Sequence, residues 1–313
     1  MTEPGGPGRL RHVLSAGQFT PPVIAELFAS AREMDSRLCE PLTHLSGRLM
    51  ATLFYEPSTR TRLSFETAML RLGGQVISTE NARDFSSAIK GETLEDTIRI
   101  VGGYADCVVL RHPEEGAARR AAAVSPVPVL NAGDGRGEHP TQALLDLYTI
   151  SSELGRLDHI RLVMVGDLAN GRTVHSLAQL MSSYPGLELT LVAPDQLRMG
   201  EDLISRLRER GAKVELASDL MEVVADADVV YQTRIQTERL TAPLQAEAGE
   251  GDRYRVTPAT MARLPQGSIL MHPLPRVGEI DPAVDADPRA AYFRQARNGV
   301  PVRMALLAAV LDS

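Results

Sequence analysis

Five consecutive polar residues, Ser58-Thr59-Arg60-Thr61-Arg62, have the composition of an anion-binding site. A short apolar run of strand type, 49–55, precedes them, and apolar side chains return at helical spacing from Leu63 onward. The pattern predicts a strand-to-helix turn at which backbone N–H groups, hydroxyls and guanidinium groups converge on a phosphate. The alternative is a simple helix cap, in which Ser58 or Thr59 caps the helix and the arginines pair with surface carboxylates.

A tight anion site at this turn needs more positive charge than the turn itself supplies. A helix dipole contributes only about 0.3–1 kcal/mol to a bound anion, whereas a charge-assisted hydrogen bond contributes roughly 1.5–3 kcal/mol. Further basic side chains occur in the loops that follow other predicted strands, and each alone is more often a surface ion pair than a ligand contact. Together they predict substrates with several negative charges: Lys90, Arg111, His139, Arg172 and Arg234.

Familiar nucleotide, metal and triad motifs do not account for these residues. Neither the glycine-rich segment 131–140 nor segment 166–171 has the spacing of a dinucleotide or P-loop fingerprint. The seven histidines are scattered, and Cys39 and Cys107 form no metal-ligand spacing. We therefore expect no metal, no cofactor and no histidine-based catalytic triad.

Strands and helices alternate along the chain, which predicts parallel sheets whose ligands bind beyond the carboxyl ends of the strands. A second series begins near Arg161, after the turn 155–158, and the boundary between the two halves is predicted close to residue 150. Strands are predicted at 49–55, 75–79, 107–110, 127–131, 162–165, 187–192, 213–216, 229–232 and 269–271. Helices are predicted at 21–34, 63–72, 93–101, 114–123, 141–154, from 172 onward, at 201–210, between the strands 213–216 and 229–232, and at 300–311.

Composition limits the class of protein. The 313 residues suffice for two domains, and 43% hydrophobic with 23% charged residues is typical of a globular protein. No apolar run approaches the roughly 20 residues of a membrane span, and the N-terminus lacks a signal-peptide pattern. A net charge of −7 without a basic tract argues against nucleic acid as a partner. We expect a cytoplasmic protein that binds neither membrane nor nucleic acid.

Three motifs in order carry a family resemblance. Segments 58–66, His139-Pro140-Thr141-Gln142 and His272-Pro273-Leu274-Pro275-Arg276 resemble the aspartate/ornithine carbamoyltransferases, from about His12 to the last helix. Pro273, where ornithine-using members carry Cys, together with segments 171–176 and 233–239, is similar to the aspartate-using branch.

The resemblance implies an α/β fold of two doubly wound domains, each with a mainly parallel sheet flanked by helices, and an active site in the cleft between them. Residues 1–150 would bind carbamoyl phosphate, with a C-terminal helix, 298–313, packing back onto that domain. Residues 151–297 would bind aspartate. The implied reaction transfers the carbamoyl group of carbamoyl phosphate to the α-amine of L-aspartate, giving N-carbamoyl-L-aspartate and phosphate in de novo pyrimidine biosynthesis.

The resemblance also assigns residues to each substrate. The implied carbamoyl phosphate ligands are Ser58, Thr59, Arg60, Thr61, Ser86, Arg111, His139, Gln142 and Leu274. The implied aspartate ligands are Lys90, Arg172, Arg234, Gln236, Leu274 and Pro275. The implied catalytic residues are Arg60, Thr61, Lys90, Arg111 and His139. Leu274-Pro275 is expected to be a cis peptide, and Arg62 is expected to be a structural ion-pair partner.

The resemblance further implies a homotrimer in which the loop bearing Ser86 and Lys90 enters a neighbouring subunit's site. Whether regulatory or dihydroorotase-type chains join it stays open. Two other functions also stay open, namely a catalytically silent scaffold and transfer to a different amine. His139 as a helix cap and Lys90 as a solvated charge are the alternatives for those residues. Departures from the family pattern at Ile89, Ala169, Asn170 and Gly278 bear on affinity and regulation.

Overall fold

The structure is a computed structural model that describes residues 10–38, 40–80, 91–235 and 252–311. The chain divides into two compact units. The first comprises Met1–Leu144 and Asn298–Ser313, and the second comprises Leu145–Arg297. The α-helices are α1 Pro21–Ser36, α2 Thr59–Arg71, α3 Leu94–Gly102, α4 Ala117–Val124, α5 Pro140–Leu154, α6 Arg172–Met181, α7 Glu201–Glu209, α8 Leu220–Val223, α9 Pro258–Arg263 and α10 Tyr292–Leu311. The strands are β1 Leu49–Phe54, β2 Gln75–Glu80, β3 Cys107–His112, β4 Val129–Asp134, β5 Arg161–Val165, β6 Glu188–Val192, β7 Lys213–Ala217, β8 Val229–Gln232 and β9 Ile269–Met271.

The first unit is built on a four-stranded parallel sheet in the order β2-β1-β3-β4. Its inner strands are nearly continuous runs of buried residues, as expected when helices cover both faces of a parallel sheet. In the register, Phe54 lies beside Arg111, and His112 lies beside Asp134. The carboxyl ends of β1, β3 and β4 therefore lie side by side, which confirms the predicted parallel arrangement.

The second unit contains a five-stranded parallel sheet in the order β7-β6-β5-β8-β9. Val165 pairs with Gln232, and Tyr231 pairs with Met271. The order places β5, β8 and β9 next to each other. The loops that begin at Gly166, Thr233 and His272 thus emerge from one edge of this sheet.

The predicted helices and strands occur in the structure, but two helical segments differ from expectation. The last helix begins at Tyr292 rather than at 300, and Pro301 lies inside it. Helix α9 was not predicted. It begins after Thr257, which forms a reciprocal capping pair with Thr260.

Two negative findings concern the described residues alone. Among them, no helix combines the length and apolar character needed to cross a membrane. In the same part of the chain, no three His, Cys, Asp or Glu side chains cluster closely enough to hold a metal ion. Cys107 is a free thiol in the first unit, and burial, with the nearby Asp106 charge, raises its pKa to about 12.

Candidate active site

The start of α2 has the geometry of an anion site. Ser58 is the N-cap residue, but its side chain makes no capping hydrogen bond, contrary to the alternative that it serves as a cap. The first helical bond at this end runs from the Arg62 amide to the Ser58 carbonyl at 3.1 Å. The amides of Thr59, Arg60 and Thr61 thus precede the helical bonding pattern and point out of the helix start, where an anion is favoured.

The two arginines of this turn have different environments. Arg62 forms ion pairs with Glu66 at 3.3 Å and with Glu80 at 2.9 Å, which confirms its predicted structural role. Arg60 is exposed on the helix start, and within the described part of the chain it forms no ion pair. The pairing with carboxylates that we considered for both arginines therefore applies only to Arg62.

Arg111 lies at the end of β3, beside the segment that leads into α2. Its backbone carbonyl accepts the Tyr55 amide at 2.9 Å, which couples the two strand ends. Its guanidinium donates from Nη1 to the Ala132 carbonyl at 3.2 Å, and Nε lies 3.5 Å from a Glu56 carboxylate oxygen. These contacts hold a mostly buried guanidinium against the carboxyl ends of β1, β3 and β4.

His139 is positioned by a loop folded around the Asp134 carboxylate. Oδ1 accepts the Glu138 amide at 2.9 Å, and Oδ2 accepts the Gly116 amide at 2.9 Å. His139 is buried directly before α5, and its backbone carbonyl accepts the amide of Gln142 at 3.0 Å. The backbone carbonyl of His139 thus starts the helix.

In the second unit, Arg172 is the first residue of α6, and the loop before it is tightly folded. Asp167 is buried, and its Oδ1 accepts the Asn170 amide at 3.0 Å. Gly166 has φ +119°, and a Cβ there would lie 2.4 Å from the Thr233 carbonyl oxygen. Only glycine permits this close approach of the two loops.

Arg234 follows β8, the strand next to β5. Thr233, directly before it, donates to the Val165 carbonyl from its amide at 2.8 Å and from its hydroxyl at 3.0 Å. Both Arg172 and Arg234 are partly buried. Arg172, at the start of the helix after β5, and Arg234, in the loop after β8, therefore follow neighbouring strands at one edge of the second sheet.

The loop after β9 is held by a buried histidine. His272 Nδ1 accepts the Leu274 amide at 2.8 Å, so Nε2 carries the ring proton and donates it to Glu279 at 2.7 Å. Leu274 has φ +52°, and the Leu274–Pro275 peptide is cis, as predicted. The backbone of Leu274 therefore has an uncommon conformation beside the strand end.

Glu279 is the anchor of this loop. Its second oxygen accepts the amides of Val277 and Gly278, each at 3.0 Å. Burial acts to raise the pKa of the Glu279 carboxyl, but the hydrogen bonds from His272 and from the two amides outweigh burial and lower the pKa to about 2. The carboxylate is therefore charged throughout the physiological range.

The structure groups the described candidates by unit. Ser58, Thr59, Arg60, Thr61, Arg111, His139 and Gln142 belong to the first unit, and Arg172, Arg234, Leu274 and Pro275 belong to the second. Ser86, Lys90 and Gln236 lie outside the described residues. Our sequence reasoning missed the supporting carboxylates Asp134, Asp167 and Glu279. Asp134 and Asp167 stand beside glycines where strands end, and this pattern could have indicated that their carboxylates organise tight loops.

Two parallel-sheet units, each with basic side chains at the carboxyl ends of its strands, define a two-domain α/β protein for anionic small molecules. Residues 11–152 match the family described as "Aspartate/ornithine carbamoyltransferase, carbamoyl-P binding domain", and residues 158–310 match "Aspartate/ornithine carbamoyltransferase, Asp/Orn binding domain". The chain belongs to the aspartate/ornithine carbamoyltransferase family.

Individual relatives are similar over nearly the whole chain. The chloroplastic aspartate carbamoyltransferase of Oryza sativa subsp. japonica is 55% identical over 97% of this chain and 85% of its own. The catalytic subunit of aspartate transcarbamoylase from M. jannaschii has a TM-score of 0.91 at 48% identity, covering 97% of this chain and 98% of its own. The Trypanosoma cruzi enzyme, solved with carbamoyl phosphate and aspartate, has a TM-score of 0.91 at 44% identity, covering 97% and 98%.

Proposed function

We propose that this chain transfers the carbamoyl group of carbamoyl phosphate to the α-amine of L-aspartate. This is the reaction after which its relatives are named, and it is a step of de novo pyrimidine biosynthesis. The observation that carries this proposal is the pair Arg172 and Arg234 after neighbouring strands β5 and β8. Two guanidinium forks suit the two carboxylates of aspartate, whereas ornithine has one carboxylate and a second amine.

The first unit is the proposed binding region for carbamoyl phosphate. Ser58, Thr59, Arg60 and Thr61 would bind the phosphate through the exposed amides, hydroxyls and guanidinium at the start of α2. Arg111 would span the phosphate and the carbonyl oxygen. His139 would donate to the same carbonyl oxygen, and Gln142 would accept hydrogen bonds from the carbamoyl amino group. Ser86 and Lys90 are proposed to complete this set.

The second unit is the proposed binding region for aspartate. Arg172 and Arg234 would each bind one carboxylate, with Gln236 and Lys90 assisting. The Leu274 carbonyl would accept from the aspartate amine and from the carbamoyl amino group, and Pro275 would pack beside it. The bonds from His272 and Glu279 support this role because they fix the loop that carries the Leu274 carbonyl.

The chemistry requires charge stabilisation and proper orientation more than an enzyme base. The amine nitrogen attacks the carbamoyl carbon, and the carbonyl oxygen gains negative charge as the carbon becomes tetrahedral. Thr61, Arg111 and His139 would stabilise that oxygen. The bond to phosphate then breaks, and the leaving phosphate accepts the amine proton, so the enzyme contributes mainly by positioning.

We also propose a homotrimer in which the loop with Ser86 and Lys90 completes a neighbouring subunit's site. The support for this assembly is the family resemblance described above, in which that loop enters a neighbouring subunit's site. Light scattering of the purified chain tests the trimer and any association with regulatory or dihydroorotase-type chains. A cytoplasmic location stays a prediction, since the plant relatives are named chloroplastic.

The decisive experiment measures product formation from carbamoyl phosphate with aspartate, ornithine, putrescine or oxamate as the acceptor. We expect transfer to aspartate and none to ornithine. Arg60→Ala should remove most turnover while the oligomer persists, because the proposed role of this guanidinium is to bind phosphate. Absence of product with aspartate, or product with ornithine alone, would refute the proposal. A scaffold would show no turnover in either the native chain or the variant.

A further inference from the structure

Asp146 is a buried carboxylate of the second unit that stands outside both proposed substrate-binding sets. It lies on α5 with no exposed surface. Oδ2 accepts the Tyr231 hydroxyl at 2.7 Å, and Oδ1 accepts the Gln295 side-chain amide at 2.7 Å. Buried charged groups are costly for stability even when they are paired, and apolar replacements often serve packing as well or better. Packing alone therefore gives no reason for a carboxylate at position 146.

Gln295 extends the Asp146 interaction to the loop after β9. Its Oε1 accepts the backbone amide of His272 at 2.8 Å. Because a backbone N–H only donates, the amide of Gln295 must present its oxygen to His272 and its NH₂ group to Asp146. The Leu274 amide in turn donates to His272 Nδ1 at 2.8 Å. The orientation of one side-chain amide thus links the carboxylate to the backbone that presents the Leu274 carbonyl.

Tyr231 links the Asp146 carboxylate to the segments that carry the two arginines. It is fully buried on β8, three residues before Arg234. Its hydroxyl also hydrogen-bonds with Thr173, which directly follows Arg172 on α6. Burial, together with the nearby Asp146 charge, raises the pKa of Tyr231 well above its ordinary value, so the hydroxyl keeps the proton that it donates.

We propose that Asp146 is a positioning residue for aspartate, whose carboxylate ties together the segments bearing Arg172, Arg234 and the Leu274 carbonyl. This inference rests on the proposed function, because that function assigns those three groups to aspartate. Bidentate guanidinium–carboxylate bonds require correct distances and angles at both oxygens, so small displacements of the segments weaken them. Carbamoyl phosphate depends less on Asp146, since its proposed ligands lie mainly in the first unit.

The hydrogen-bonding pattern permits an exchange test. In Asp146→Asn, an NH₂ group replaces one of the two accepting oxygens. Facing Gln295 it meets a donor, and facing Tyr231 it forces that hydroxyl to change from donor to acceptor. In Gln295→Glu, two carboxylates face each other across the same contact. In the double variant, the new amide at position 146 donates its NH₂ to the new carboxylate at position 295, which still accepts from His272. The amide oxygen at position 146 still accepts from Tyr231, so the double variant restores every bond named here.

We expect each single variant to raise the KM for aspartate about 10- to 100-fold, the cost of an unsatisfied buried group expressed in binding. The Kd of carbamoyl phosphate should change by less than about threefold, and the double variant should return the KM for aspartate to within about fivefold of the native value. A role in overall folding alone would change thermal stability without separating the two substrates.

Asp228→Asn is the matched control. Asp228 directly precedes β8, at the opposite end of the strand from Gln232 and Arg234, where its carboxylate accepts from the Arg161 amide at 2.9 Å and from the Arg161 guanidinium at 3.1 Å. This variant should lose stability while the KM for aspartate stays unchanged, because the Asp228 carboxylate contacts none of the segments proposed to bind aspartate.

The outcomes separate this inference from the proposed function. If the native chain transfers no carbamoyl group to aspartate, the proposed function fails, and this inference fails with it. If the native chain is active and the folded single variants keep the native KM for aspartate, or the exchange gives no recovery, only the role of Asp146 is overturned. Should a single variant not fold, the exchange variant and Tyr231→Phe decide. An unchanged KM for aspartate in folded Tyr231→Phe also overturns the role of Asp146.

Discussion

Replacing Glu279 with Gln tests how strongly the loop after β9 is held. Oε1 of Glu279 accepts from the His272 ring at 2.7 Å, and Oε2 accepts from two backbone amides at 3.0 Å. Glutamine has only one oxygen, so its NH₂ group must face a donor on one of the two sides. Unlike the native carboxylate, the variant cannot satisfy all of these donors.

The expected loss of unfolding free energy in this variant follows from the pKa of Glu279. Its fall from an ordinary 4.5 to about 2 corresponds to about 3 kcal/mol in favour of the charged, folded form, and solvent screens little of this because the side chain is only 9% exposed. A carboxyl whose folded pKa is lowered stabilises the fold fully above pH 4.5, and this contribution is lost as pH falls toward 2. At neutral pH we expect Glu279→Gln to reduce the free energy of unfolding by about 2–3 kcal/mol.

Urea unfolding of the native chain and of Glu279→Gln, followed at several pH values, measures this difference. It should be constant from neutral pH down to about 5 and should narrow below 4.5 as the native carboxyl becomes protonated. Steady-state kinetics at neutral pH should also show a higher KM for aspartate, because the Leu274 carbonyl is less well fixed. A difference below about 1 kcal/mol at neutral pH, or one undiminished near pH 3, would refute this reasoning.

Two further predictions address the binding region proposed in each unit. Arg234→Lys should raise the KM for aspartate about 10- to 100-fold with little change in carbamoyl phosphate binding, because lysine loses the bidentate fork. Equal losses for both substrates in the kinetics would contradict this assignment. Asp134→Asn should lower kcat and reduce the free energy of unfolding by roughly 1.5–3 kcal/mol, because one backbone amide loses its acceptor near His139. Urea unfolding and steady-state kinetics check both effects. An unchanged kcat would show that the loop around Asp134 does not contribute to catalysis.

Local patterns in the sequence were enough to predict most of the elements. The apolar run before Ser58 and the helical spacing after Leu63 predicted β1 and α2, and parallel strand order followed from alternation. The last helix was predicted too short, since the apolar run that indicated it begins only at 300, and it contains Pro301, a residue that normally disfavours a helix interior. Here the surrounding residues are buried and the helix continues through it, so packing overrides the local preference.

The residues that hold the candidate site in place could not be predicted from the sequence in the same way. Asp146 and Gln295 are 149 positions apart, and neither stands in a loop or a recognisable motif. Each occurs in a helix, where a single polar residue is commonly solvent-facing. Their contact depends on how α5 and α10 approach within the second unit. By contrast, the candidates at strand ends were accessible because the topology of a parallel sheet assigns them a common edge.

The separate hydrophobic cores of the two units have an evolutionary consequence. One core packs around β1 and β3, with Leu53 and Val108, and the other packs around β5 and β8, with Val163 and Val230. Substitutions that reshape the loops after β5, β8 and β9 therefore need not disturb the fold around the start of α2. Under the proposed function, most changes of amine acceptor can therefore arise in the second unit, while the phosphate ligands proposed at the start of α2 are inherited unchanged.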